Sequence, residues 1–137
     1  MIFLDTNIVS ETLRRDPDMA VLEWLARNDE QIALPSVTLA ELAYGIAKIR
    51  PDQRADRLEA GLLEWRQRFS GRIFALTEDA AIAYGAIMGR ASRSGRPMSV
   101  PDGMIAAIAH VNGGQLATRN LKDFQTTELV LISPWEI

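Results

Sequence analysis

An α/β domain with a central, mostly parallel sheet of about five strands is predicted by three features of the sequence. Short apolar runs recur along the chain, amphipathic helical patterns separate them, and no repeat or low-complexity stretch interrupts the alternation. Runs that are apolar throughout suit strands buried on both faces, with helices packed above and below the sheet. The 137 residues suit a single domain spanning residues 1–137, with enough chain for a substantial core.

The first strand is Ile2 to Leu4, a run without a charge at the very start of the chain, which predicts a central position. Asp5 to Asn7 then cap a short helix reaching about Leu13. Asp16-Pro17 reads as N-cap and first helical residue of a second helix carrying Val21, Leu22, Trp24 and Leu25. Gln31 to Leu34 is the second strand, ended by Pro35-Ser36. Val37, Leu39, Leu42, Ala43 and Ile46 lie near helical spacing in a third helix. Pro51 opens a fourth, running to about Phe69. Arg72 to Leu76 is a strand, Glu78 to Arg93 a helix and Ser94 to Pro97 a loop. Pro101-Asp102 starts a strongly apolar helix closed by Asn112-Gly113-Gly114, where glycine suits a helix end. Leu116 to Thr118 and Leu129 to Ile132 are the last two strands.

Composition narrows the function. No apolar run is long enough to span a bilayer, and no basic segment precedes an apolar one at the N-terminus, so a cytoplasmic protein is expected. The chain has no cysteine, which excludes disulfides and thiolate metal sites. The net charge of −3 does not advertise a nucleic-acid binder. If four carboxylates sit on cations, however, the remaining basic residues slightly outnumber the remaining acids.

Four acids stand where a parallel α/β sheet gathers its ligands, beyond the carboxyl ends of the strands. Asp5 leaves the first strand, Glu41 lies early in the third helix, Asp102 opens the apolar helix, and Asp123 follows the fourth strand. Carboxylates brought together there repel one another unless cations neutralise them. Magnesium and manganese suit such all-oxygen sites, which activate water for attack on a phosphodiester. Each acid also has a purely structural reading. Asp5 can cap a helix, Thr38 to Glu41 matches a capping box, Asp102 favours a helix dipole, and Asp123 can be a solvated loop residue. Asp5 is the hardest to explain this way, since it adjoins a buried strand.

The segments MIFLDTNIVSE, SVTLAELAYGI, VPDGMIAAIA and LATRNLKDF, in this order, resemble the PIN-domain family, and within it the VapC-type and FitB-like toxins of bacterial toxin–antitoxin pairs. The resemblance extends from Ile2 to Trp135. It implies a three-layer α/β/α fold and a metal-dependent endoribonuclease using Mg²⁺ or Mn²⁺. By the family pattern, Asp5, Glu41 and Asp102 match the invariant acids. The fourth falls at Asn120 in some members and at Asp123 in others; Asp123 is favoured as the ionised one, with Asn120 a neutral ligand or a holder of water. Thr6 and Thr118 are expected to orient carboxylates and water. The resemblance also implies a homodimer and a separate antitoxin protein encoded by a neighbouring gene. Gly103 departs from the alanine often found after the third acid, which predicts a looser first turn.

Other residues are weighed on their own chemistry. Arg119 and Lys122 flank Asp123 and are the better candidates for RNA phosphate contacts. Arg14, Arg15, Arg90, Arg93 and Arg96 are equally well read as solvated surface. His110 is expected to pack rather than to act as a base. Trp24 and Trp65 are expected in the core or at a dimer contact, and Trp135 against the last strand. Two other function classes remain: a magnesium-dependent α/β phosphatase or phosphotransferase, and a non-catalytic binding module. Covalent phosphoryl chemistry of the haloacid-dehalogenase kind calls for an Asp two positions after Asp5, where this chain has Asn7.

Overall fold

The computed structural model describes residues 1–136. Five strands form one sheet: β1 (Ile2–Leu4), β2 (Ile32–Pro35), β3 (Ile73–Phe74), β4 (Gln115–Ala117) and β5 (Leu131–Ile132). Their order is β3-β2-β1-β4-β5 and every neighbouring pair is parallel. The uncharged N-terminal run is therefore the middle strand, as its composition requires. Ile2 pairs in register with Ile32 on one side and Gln115 on the other.

Six helices cover the sheet: α1 (Thr6–Thr12), α2 (Met19–Arg27), α3 (Ser36–Ile49), α4 (Arg54–Arg68), α5 (Glu78–Arg93) and α6 (Val100–Val111). Strand alternation sorts the side chains into two cores. Ile2 and Leu4 face one layer, with Ile8, Val9, Val21, Trp24, Leu42 and Leu62 from α1 to α4. Phe3 faces the other, against Ile105 to Ala109 of α6 and Ala80 of α5. The result is the three-layer α/β/α arrangement.

Several local expectations change in the folded chain. Helix α2 starts at Met19, because the Asp18 side chain, not Asp16, accepts from a free amide, that of Ala20. The α1–α2 turn is held by Glu11, whose buried carboxylate accepts from the Asp18 backbone N–H at 2.8 Å and from Arg14. Helix α4 begins three residues after Pro51, and Asp52 side-chain bonds shape the turn before it. Gly103 does not loosen α6; it lets α6 approach α5 closely. A Cβ there would stand 2.4 Å from Met88 Sδ and 3.0 Å from the Tyr84 ring. At the start of β4, Gly114 leaves room for the Phe3 ring, which a Cβ would meet at 2.6 Å.

The chain steps outward from β1 through β2 to β3, then crosses back to place β4 on the free side of β1. Connections thus diverge between β1 and β4, the position where open parallel sheets form a crevice at their carboxyl edge.

Candidate functional site

Asp5 stands at the mouth of that crevice. Its backbone N–H donates to the Ala117 carbonyl at 2.9 Å, the last rung between β1 and β4. Its side chain caps α1 by accepting from the Thr6 N–H at 2.8 Å, so the capping role is real. Capping does not exhaust the group. Oδ2 also accepts from the Thr118 hydroxyl at 2.8 Å and from the Asn7 side-chain amide at 3.2 Å. Only 5% of the residue is exposed. Burial pushes the carboxyl above its ordinary value and the Glu41 charge adds to this, while the bonds from Thr118, Thr6 and Asn7 work the other way. Three donors leave one lone-pair direction of the carboxylate uncommitted.

The other acids arrive at the same sheet edge by topology. A helix that precedes a parallel strand starts at the carboxyl edge, and Asp102 lies in the first turn of α6. Ser99 caps that turn, its Oγ accepting from the Asp102 N–H at 3.3 Å. The Asp102 carboxyl is pushed up to about 6, first by burial, then by the negative charge of Asp5; Asp123 and Glu41 add smaller contributions and the Ser99 hydrogen bond opposes them. Asp102 thus lies within electrostatic reach of Asp5, Glu41 and Asp123, acids drawn from distant parts of the chain.

Glu41 lies in the second turn of α3 and is half-buried. The capping-box reading fails here. Thr38 is inside the helix and fully buried, and its hydroxyl donates to the Leu4 carbonyl at 2.9 Å. Glu41 Oε1 instead accepts from the Thr6 hydroxyl. Thr6 and Thr118 therefore each hold one acid, Glu41 and Asp5 respectively. Asp123 is exposed in a 3-10 turn, Leu121–Phe124, next to the crevice. Its N–H donates to the Asn120 carbonyl at 3.0 Å, and the Asn120 N–H donates to Thr118 Oγ1 at 3.0 Å. Both possible positions of the fourth acid are thus linked through Thr118 to Asp5.

Asn7, which completes the Asp-Thr-Asn run, joins the site although its neutral amide does not mark it in the sequence. Besides its bond to Asp5, its Oδ1 accepts from the Arg119 N–H at 3.2 Å. It ties the exits of β1 and β4 together. Arg119 and Lys122 are both exposed at this edge. Arg14 and Arg90 are engaged elsewhere, in ion pairs with Glu11 and Glu128. His110 does not pack as expected; it is exposed in the last turn of α6. Trp24 is core, and Trp65 stacks on Phe69 while its indole N–H donates to Thr12.

The donor set of Asp5, Glu41, Asp102 and Asp123 is all oxygen and anionic, the chemistry of a hard divalent cation. Among the described residues, no three His, Asp or Glu side chains are already drawn in around a single point as ligands. A small cation that keeps several of its waters needs only one or two carboxylates in direct contact, so the more open spacing fits it. A separate cleft of about 290 Å³ lies between α1, α2 and α4, lined by Leu13, Leu22, Leu25, Trp65 and Phe69. It contains none of these four acids. No helix is long and apolar enough to cross a membrane, among the described residues.

Comparison with known proteins matches residues 2–128 to the PIN domain. The chain is 38% identical over 141 residues to the VapC ribonuclease Y4jK of Sinorhizobium fredii, covering 99% of both chains. It is 34% identical to the toxin FitB of Neisseria gonorrhoeae, covering 98% of this chain and 99% of that one. The crystal structure of FitAcB from Neisseria gonorrhoeae superposes with a TM-score of 0.91 at 33% identity, over the full length of both chains.

Proposed function

The chain belongs to the PIN-domain family, and from that premise we propose that it is a metal-dependent endoribonuclease, the toxin of a toxin–antitoxin pair, with Asp5, Glu41, Asp102 and Asp123 as its metal-holding and catalytic acids. The observation that carries the reading is Asp5, almost wholly buried at the β1–β4 crevice, with Thr6 joining it to Glu41 by donating its N–H to Asp5 and its hydroxyl to Glu41. Buried like charges are costly, and capping α1 or α6 requires no such gathering. The names of the ribonuclease and toxin relatives support the activity.

When bound, a divalent cation such as Mg²⁺ or Mn²⁺ would stabilise negative charge developing on the phosphodiester and ease deprotonation of the attacking water. The chain's own residues prepare for this. Thr118, Thr6 N–H and Asn7 keep the Asp5 carboxylate in one orientation. Thr6 does the same for Glu41. Asn120, anchored to Thr118 through its backbone, presents a neutral amide at the rim. Arg119 and Lys122 supply positive charge to an RNA backbone that four acids would otherwise repel.

A single 1–137 domain, cytoplasmic location, a homodimer and an antitoxin from a neighbouring gene complete the proposal. Toxin FitB among the relatives and the FitAcB structure support the partner. A haloacid-dehalogenase type of phosphotransfer is disfavoured at the residue level. Position 7 carries an amide that donates to Asp5 Oδ2, where that chemistry calls for a second carboxyl group to serve as general acid.

The deciding experiment is cleavage of RNA by the Asp5→Asn variant. Asparagine caps a helix as well as aspartate does, so the cap on α1 is kept. Loss of all divalent-cation-dependent cleavage with an unchanged circular dichroism spectrum is expected; full activity would end the reading.

A further inference from the structure

Taking the ribonuclease reading as given, we propose that the indole of Trp135 holds the Arg119 guanidinium as a preset clamp for one phosphate of single-stranded RNA, which makes the C-terminal turn part of the RNA-binding surface. The Arg119 Cζ lies 4.9 Å from the centre of the Trp135 ring. A cation over a ring is attracted without spending a hydrogen bond, and among the described residues no acceptor takes the Arg119 side-chain N–H groups, so its fork stays available. That fork matches the oxygens of a phosphate.

The two residues meet because of the sheet. The Thr118 N–H donates to the Ile132 carbonyl at 2.9 Å, which sets the end of β5 beside the end of β4. Trp135 follows in the 3-10 turn Pro134–Glu136, half-buried and packed on the α1–α4 core. Pro134, the first residue of that turn, is buried, and the Glu136 N–H closes it on the Ser133 carbonyl at 3.1 Å. The indole is therefore a fixed platform. At the other end, the Arg119 backbone is tied by Asn7, which also donates to Asp5. One asparagine amide thus separates the clamp's backbone from the buried acid.

The pairing of the other arginines sharpens the contrast. Arg72 also lies over a ring, that of Phe69, but its guanidinium is spent on the Asp29 and Ile32 carbonyls. Arg14, Arg50, Arg54, Arg68 and Arg90 each face a carboxylate. Among the described residues no acid pairs with Arg119, although four acids gather at the same sheet edge. A free arginine side chain loses much rotamer freedom when it grips a ligand, and one already stacked loses less. Trp135 is in this sense a positioning residue, acting through Arg119.

The test is binding of a fluorescent, unstructured single-stranded RNA by anisotropy, in calcium-containing buffer over a salt series. Arg119→Gln is expected to weaken binding roughly tenfold, as loss of a charge-assisted bond does. It should also flatten the log–log salt slope by about 0.7, one phosphate's share on a single strand. Trp135→Leu keeps an apolar plug under the turn and is expected to weaken binding roughly threefold, whereas Trp135→Phe restores the ring and most of the affinity. Added to Arg119→Gln, the Trp135→Leu change should have no further effect. In cleavage assays Trp135→Leu should raise KM and leave kcat unchanged. Unaltered binding by Trp135→Leu, or losses that add in the double variant, would overturn the clamp while leaving the ribonuclease reading intact. No RNA binding by the wild-type chain would overturn both.

Discussion

Replacing Asp102 by asparagine should make the metal-free protein more stable and inactive at once. The carboxyl is pushed from 3.8 up to about 6 by burial and by Asp5, Asp123 and Glu41. A displacement of that size corresponds to about 3 kcal/mol of preference for the neutral form. The side chain is only half-buried, so solvent screening roughly halves this, to about 1.5 kcal/mol. Asparagine keeps the shape and removes the charge. The sign follows from linkage: a carboxyl whose folded value is raised favours folding fully below its unfolded value and loses that contribution as pH rises through the folded one. The gain over wild type is therefore absent near pH 3.8, grows through about pH 6 and is complete at neutrality, where it is worth about 5 °C in Tm. Thermal and urea unfolding in chelator, repeated across this pH range, measure it directly. Added Mn²⁺ should then raise the Tm of wild type and leave the variant unmoved, reversing the order. A variant less stable than wild type at neutral pH, or a gap that does not change with pH, would refute the electrostatic account of the site.

Three further outcomes follow from the same geometry. Thr118→Val removes the hydroxyl that donates to Asp5 and accepts from Asn120. It should cost about 1–3 kcal/mol in urea unfolding and lower RNA cleavage by roughly 10–100-fold. Thr6→Val frees half-buried Glu41, so cleavage should fall by a similar factor while unfolding shifts by less than about 1 kcal/mol, a split that stopped assays and melts together would reveal. Gly103→Ala drives a Cβ against Met88 and should destabilise by about 1–3 kcal/mol; in a Met88→Ala background the same change should cost far less.

Much of this protein was legible along the chain because the signals concerned were local. Uninterrupted apolar runs specify strands buried on both faces, and β1 took the central place its composition demanded. Caps and helix periodicity placed the six helices to within a few residues, and the exits of strands named the four acids. The misplacements are also local in origin. Asp16-Pro17 had the form of a helix start, yet Asp18 faces the free amide once Glu11 is buried under the turn. Thr38-x-x-Glu41 had the form of a capping box, yet both side chains turn inward to partners from β1 and α1.

The chain order alone thus determined the layers and the central strand and pointed to four candidate acids, since each depends on neighbours a few positions apart. Which hydroxyl grips which carboxylate was decided only by the tertiary structure. Thr118 and Asp5 are 113 positions apart and Thr6 and Glu41 are 35 apart, distances at which no local rule selects a partner. The same holds for Asn7 reaching across to Arg119, for Trp135 beneath that arginine, and for Gly103 against Met88. Strand order brings these groups together, and burial then obliges each polar group to take the partner that packing has put within reach.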